Sequence, residues 1–275
     1  MRHSPFVGLL AVALVAGSAT AQGIRPRSSD YLFVSTVEDV RATWLNPAGL
    51  GVVREASVMG ELVLDRPAEG DARLGQWSLG FNSRGFSIAF QQSRLPDGTS
   101  SNIWHFGVGL GFTRGALGGS VAWFTGEGDN DRAGDVGFSY LLAPPLSVGI
   151  VVRNIGRPVV RDSILPITGV VGLSWVPLAR HLQLAAEVLV VEETEISDVE
   201  ALYRAGLQIA TGGKLPVGAL ATVDLGSNFK IDRWSIGISL GGDNRGILLA
   251  TAYPSRLERF SVTGVATRRA PGPRP

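Results

Sequence analysis

Few residues in this chain have the types and spacing that catalysis needs. Beyond His3 there are two histidines, His105 and His181. His105 with a neighbouring serine would make a nucleophilic dyad, but a single imidazole among glycines more simply hydrogen-bonds a neighbour. No Gly-x-Ser-x-Gly elbow, no His-Glu-x-x-His and no cluster at metal-ligand spacing occurs. The run Glu127-Gly128-Asp129-Asn130-Asp131 offers hard oxygens for Ca²⁺, without the full spacing of a calcium loop. Absence of cysteine removes disulfides and thiolate metal sites. The expectation is a protein that is not an enzyme and holds no metal or cofactor. The residues left with something to do are charges, and what they do depends on the elements that carry them.

Those elements are strands of an unusual kind. From Trp104 to Phe112 every even position is large and apolar, and positions 105, 107, 109 and 111 are His or Gly. A period of two makes a β-strand with one greasy face and one small or polar face. A soluble sheet would carry Thr, Lys and Glu opposite its core, whereas glycine stands there here. Large side chains toward lipid and small or polar ones toward a crowded lumen suit a transmembrane β-barrel. Charged residues make up 18% of the chain, below the ~25% of soluble proteins. With 36 glycines in 275 residues, many fall inside strand patterns, as a curved and closely packed wall requires. No basic cluster suggests nucleic acid, since Arg268-Arg269 belongs to a Pro/Arg-rich tail, 268–275.

At the start, Met1-Arg2-His3, an apolar run from Phe6 to Ala16 and Ala19-Thr20-Ala21 have the parts of a cleaved signal peptide, 1–21. That run is shorter than the ~20 residues of a spanning helix. Fourteen alternating segments follow between 57 and 267, most of them near the ~9–11 residues with which a tilted strand crosses a bilayer. Short links at 82–84, 114–115, 143–145, near Pro177 and at 212–214 alternate with longer ones at 66–72, 94–101, 126–132, 156–165 and 192–200. This is the habit of periplasmic turns and extracellular loops. The expected fold is all-β: an antiparallel up-and-down barrel of about fourteen strands in the bacterial outer membrane, both termini periplasmic.

Strand parity turns His105, Arg153, Glu187, Arg204 and Asp224 into the lumen. A lipid-facing Arg at mid-depth would cost ~2–4 kcal/mol. Glu187 and Arg204 lie at matching distances from the link at 192–200, so they should meet across that hairpin. Pairing that merely satisfies buried charge is one account of these groups; lining a route or fastening an internal segment is the other.

Residues 22–56 stand outside the strand pattern. Residues 37–50 read as a short helix with a turn at Asn46-Pro47, since a proline drives the residue before it to extended geometry. In Asp39, Ala42, Thr43, Trp44, Asn46, Pro47, Ala48, Gly49 and Leu50 the chain resembles the FadL-type transporters of fatty acids and other hydrophobic compounds, and their PorV-like relatives. The resemblance implies a fourteen-stranded barrel with this segment folded into the lumen as a hatch. It also implies a role in passing small hydrophobic compounds, or, in the PorV-like branch, a scaffold that escorts exported proteins. Partners would be outer-membrane lipid and a small hydrophobic substrate or an exported protein. Two departures stand out: the outer links are short and polar, and no terminal aromatic follows Phe260 and Val262.

Overall fold

The structure, a computed structural model, describes residues 30–269 apart from 53–54, 67–70, 95–97, 127–128, 161–162, 179–180, 193–198, 242–243 and 254–255. The expected signal peptide, 1–21, and the end of the tail lie outside the described residues. The first half of the wall comprises β1 (Glu55–Asp65), β2 (Arg73–Ser83), β3 (Phe86–Arg94), β4 (Ser100–Phe112), β5 (Gly115–Gly126), β6 (Asp129–Ala143) and β7 (Leu146–Ile155). A small hairpin of β8 (Val159–Val160) and β9 (Ser163–Ile164) stands apart from the wall. The second half is β10 (Thr168–Trp175), β11 (Leu182–Glu192), β12 (Val199–Ala210), β13 (Val217–Leu225), β14 (Ile231–Leu240), β15 (Asn244–Tyr253) and β16 (Arg256–Arg269). Each strand pairs antiparallel with the next, β7 pairs β10, and β16 pairs β1. The result is a closed fourteen-stranded barrel. Closure leaves no strand edge, the condition for a sheet to stand in lipid.

Side chains sort by parity as the alternation requires. Leu79, Phe81, Ile88, Phe106, Leu117 and Ile238 are exposed on the outside. Gln76, Ser78, Ser87, Gln91, His105 and Ser235 are buried inside. Aromatic rings gather at two levels on the outer wall. Trp77, Phe90 and Trp104 stand in a row, tilted against one another with centroids 5.1 and 4.8 Å apart, and Phe112, Phe138 and Tyr140 form a second group. From Trp104 to Phe112 the strand covers ~26 Å, on the scale of the ~25 Å apolar band between aromatic girdles.

Glu55 and Arg269 are register partners, so both chain ends of the wall share one end of the barrel, called here the terminal end; Asp65 and Arg73 mark the distal end. Where the links were expected to alternate, the structure corrects the pattern in two places. The expected loop 126–132 is mostly strand: Asn130, Asp131 and Arg132 pair Thr125, Phe124 and Trp123, because the hairpin keeps satisfying its backbone beyond the wall. Beyond β10, the terminal-end connections 176–181 and 211–216 are as long as the distal connection 193–198. At the other extreme, the β2–β3 turn is only Arg84 and Gly85, both at positive φ, as primed hairpin turns demand. The acidic run is also committed locally, since Asp131 accepts the Val159 N–H (2.6 Å) and tethers the small hairpin.

An expected outcome follows for orientation. Cysteines introduced at Val159, beyond the distal end, and at Lys214, beyond the terminal end, should differ on intact cells, with only the former labelled by an impermeant maleimide. Equal or reversed labelling would show the barrel to be inserted otherwise.

Candidate functional site

Residues 30–52 lie inside the barrel. Two helices of four residues, α1 (Ala42–Leu45) and α2 (Gly49–Val52), replace the single helix expected over 37–50, and they flank Asn46 in extended geometry. That geometry is the one Pro47 imposes on its predecessor. Asn46 is fully buried. Its amide donates to the carbonyls of Val34 (2.8 Å) and Phe138 (3.1 Å), and its carbonyl accepts the Ala48 N–H (3.2 Å). One side chain thus closes the turn and fixes it to β6.

The wall facing this turn is glycine for a steric reason. A Cβ on Gly118 would strike the Pro47 backbone, and one on Gly137 would strike the Asn46 amide. A Cβ on Gly107 would stand 2.9 Å from Leu50, and one on Gly109 2.8 Å from the Leu50 carbonyl carbon. Farther round, Val34 sits on Gly149 and Gly172, and the Phe33 ring on Gly206. Trp44 packs on Gly80 and lies 5.4 Å from the His105 ring, in an apolar cluster with Val40, Met59, Ala89 and Val265. Ala48 is buried, and Gly49 has no room for a side chain against Val37 and Ala42. Asp39 pairs with Arg41, which also donates to the Tyr31 hydroxyl. Burial opposes ionisation of Asp39, but the Arg41 guanidinium and its backbone N–H outweigh it and hold the carboxyl below the usual carboxylate range. Burial pushes the Tyr31 phenol up to about 12, so the hydroxyl keeps its proton at any ordinary pH.

Toward the distal end a chain of charges runs round the lumen. Glu187 and Arg204 are direct register partners, 3.3 Å apart. Arg204 also binds Asp224 at 2.6 and 3.0 Å, and Asp224 accepts from Arg233 at 2.8 Å. Arg233 and Arg259 each reach Asp30 of the inner segment at 3.4 Å, and Arg259 reaches Asp65 at 3.3 Å. Glu187 accepts the Val34 N–H at 3.1 Å, so the chain holds the segment at two points. Arg153 stands apart from it and donates to the Leu45 carbonyl (3.2 Å). Sequence reasoning missed Asp30, Arg41, Arg233, Arg259 and Asp65. The parity of Ser235 and Gly237 extends to Arg233 and would have found it. Asp30 and Arg41 lie where no period exists, so no signal marked them.

The segment does not fill the bore evenly. Its main chain is seated on the glycines of β4–β7 and β10, with Phe33 on Gly206 of β12, and open space remains at the terminal-end part of β11–β15. A cavity of about 520 Å³ at the terminal end is lined by Glu38, Asp39, Glu55 and His181, among others. A smaller one of about 70 Å³ lies deeper, with Leu32, Phe33, Leu220 and Ile247 on its walls. Both touch Thr36, Arg41, Gln183, Gln208, Ser239 and Arg245, which form a collar between them.

No protein-family model and no curated protein matches the sequence. Solved structures do match in fold. The Ralstonia pickettii toluene transporter TbuX aligns over 91% of this chain and 99% of its own, with TM-score 0.57 and 12% identity. The Pseudomonas putida toluene transporter TodX aligns over 87% and 95%, with TM-score 0.54 and 11% identity. A Pseudomonas aeruginosa FadL homologue aligns over 90% and 97%, with TM-score 0.51 and 10% identity. This is the FadL-type fold. With its apolar outer belt and two aromatic girdles, the chain is an outer-membrane β-barrel.

Two outcomes test this geometry. Asn46→Ala strands the buried carbonyls of Val34 and Phe138 and should destabilise the refolded barrel by about 2 kcal/mol in urea unfolding. Arg204→Ala leaves Glu187 without its cation, whereas Asp224 keeps Arg233, and should cost ~3 kcal/mol, most of it recovered in Arg204→Ala/Glu187→Gln if the pair is the cause. Acid separates a third. The folded value of Asp39 is depressed, so the stabilisation from Asp39–Arg41 is complete above the carboxyl's unfolded value of 3.8 and lost as pH falls through the lower folded value. Hydrogen exchange of the Arg41 amide should therefore be unchanged between pH 7 and pH 5, after correction for the intrinsic rate; faster opening at pH 5 would show the pair is not the lock.

Proposed function

We propose that this barrel passes small hydrophobic compounds across the outer membrane, with residues 37–50 as the hatch. The observation that carries the reading is the one-sided seating of the segment. Backbone and glycine meet so closely on β4–β7 that nothing passes there, whereas two cavities and a collar remain along β11–β15. The fold likeness to toluene transporters supports a small hydrophobic substrate. The deeper cavity has a mixed wall, with Leu32, Phe33, Leu220 and Ile247 beside Arg41, Gln183, Gln208 and Arg245, so a small solute passing there would meet both apolar and polar groups. Asp39, Trp44, Asn46, Pro47, Ala48, Gly49 and Leu50 hold the hatch in place. Arg153, Glu187, Arg204 and Asp224 fasten its path, and His105 braces Trp44.

The wide terminal-end cavity, about 520 Å³ against about 70 Å³ for the deeper one, favours a second reading, a barrel that does not conduct and instead escorts exported proteins from its periplasmic mouth. Permeability decides between them. Deleting residues 37–50 should give an assembled barrel whose liposomes admit a monoaromatic probe faster than the intact protein does. Should the deletion fail to assemble, Gln183→Ala/Gln208→Ala widens the collar while leaving the hatch seated, and it too should raise permeation. Assembled variants with intact-level permeability would remove the hatch reading and leave the escort.

A further inference from the structure

The outer face of β2–β6 near the distal end carries more than an apolar belt. Along the row of tilted rings Trp77, Phe90 and Trp104, and on through Trp123, which is register partner to Trp104, an aromatic shelf crosses four strands. Distal to it comes a line of amides. The Trp77 indole donates to Gln92 (2.8 Å), Gln92 donates to Asn102 (3.0 Å), and the Trp123 indole donates to Asn130 (3.0 Å). Two arginines complete the layer. Arg94 lies two residues beyond Gln92 on β3, and the Arg132 guanidinium stands over the Trp123 ring at 5.2 Å. Both are exposed. Among the described strand positions of outward parity on this face there is no carboxylate, and the acids that border it are Asp71 and Asp131, whereas Asp232 on β14 and Glu258 on β16 hold outward positions near the distal end of the other side.

The order is therefore aromatic, amide, guanidinium, read from mid-membrane outward on one side of the barrel only. Acyl chains pack on the first layer, the faces and hydroxyls of a sugar suit aromatic rings and amides, and guanidinium is the side chain best shaped for phosphate. An aromatic girdle alone is a generic feature of such barrels. The amide line and the two exposed cations are not, and the outward acids of β14 and β16 lie across the barrel from them. We propose that this face is a docking site for a phosphorylated glycolipid of the outer leaflet, with Arg94 and Arg132 taking its phosphates. The assignment rests on the distal end facing outward, which the Val159 and Lys214 labelling settles separately.

The test uses the full-length barrel in detergent, titrated with bis-phosphorylated lipid A or with the same lipid stripped of its phosphates, and read by native mass spectrometry. The intact protein should retain the phosphorylated lipid about tenfold more tightly than the stripped one. Arg94→Gln/Arg132→Gln should lose that preference, while Arg114→Gln, at the terminal end, should keep it. Heat-modifiable migration on gels checks that each variant is folded. Equal retention of the two lipids by the intact protein, a preference that survives the double substitution, or dimers in place of lipid adducts would each overturn the site.

Discussion

Everything inside this barrel follows from one steric limit: between the inner segment and β4–β7 there is no space for a Cβ. Fourteen strands enclose a bore too wide for side chains alone to fill. Here main chain fills it, and main chain brings donors and acceptors that must be satisfied away from bulk water. Close approach solves both problems where the wall is glycine. Pro47 rests on Gly118, Leu50 and Gly51 rest on Gly109, and Asn46 reaches past Gly137 to the carbonyl of Phe138. A single β-branched residue at Gly118 or Gly137 would lift the whole turn from the wall. Glycine, which costs entropy in an ordinary strand, is here the residue that allows the lumen to close.

Electrostatics takes over where glycine stops. Toward the distal end the contacts between segment and wall are ionic, running from Glu187 through Arg204, Asp224 and Arg233 to Asp30 and on to Arg259 and Asp65. Lipid outside forbids these side chains from pointing outward, and inside they must find partners. Such pairs add little net stability compared with apolar packing, but losing one member is costly, so they specify position more than they contribute energy. The segment is then held in two ways: by van der Waals contact against β4–β7 and β10, and by charge at the distal end. The cavities lie toward the terminal-end part of β11–β15, beyond the ion pairs that the same strands make with the segment. Any movement that opens a path would begin there, where space is already open.

On the outer surface, the same alternation that buries serine and glutamine inside exposes a continuous apolar wall. Aromatic rings at its two levels set its depth in the bilayer, and the polar groups just beyond them set what kind of headgroup can sit against it.

The sequence by itself determined the wall. Period-two alternation assigned each strand, its inward and outward faces, and the even count that brings Glu55 and Arg269 together, because those properties are local. It also placed Glu187 opposite Arg204, since hairpin register follows from distance to the turn. The extended geometry of Asn46 was legible from Pro47 alone. Tertiary structure decided the rest. That glycines at 107, 109, 118, 137 and 149 exist to receive a segment many residues distant could not be read from strand periodicity, which sees only that they are small. Asp30 and Arg41 were invisible because the inner segment has no period, and its course is set by contacts with eight or more strands at once. The hairpin of β5 and β6 ran on past the expected loop for a related reason: strand ends are fixed by whether a neighbouring backbone is present to pair with, and that is known only when the chain has folded.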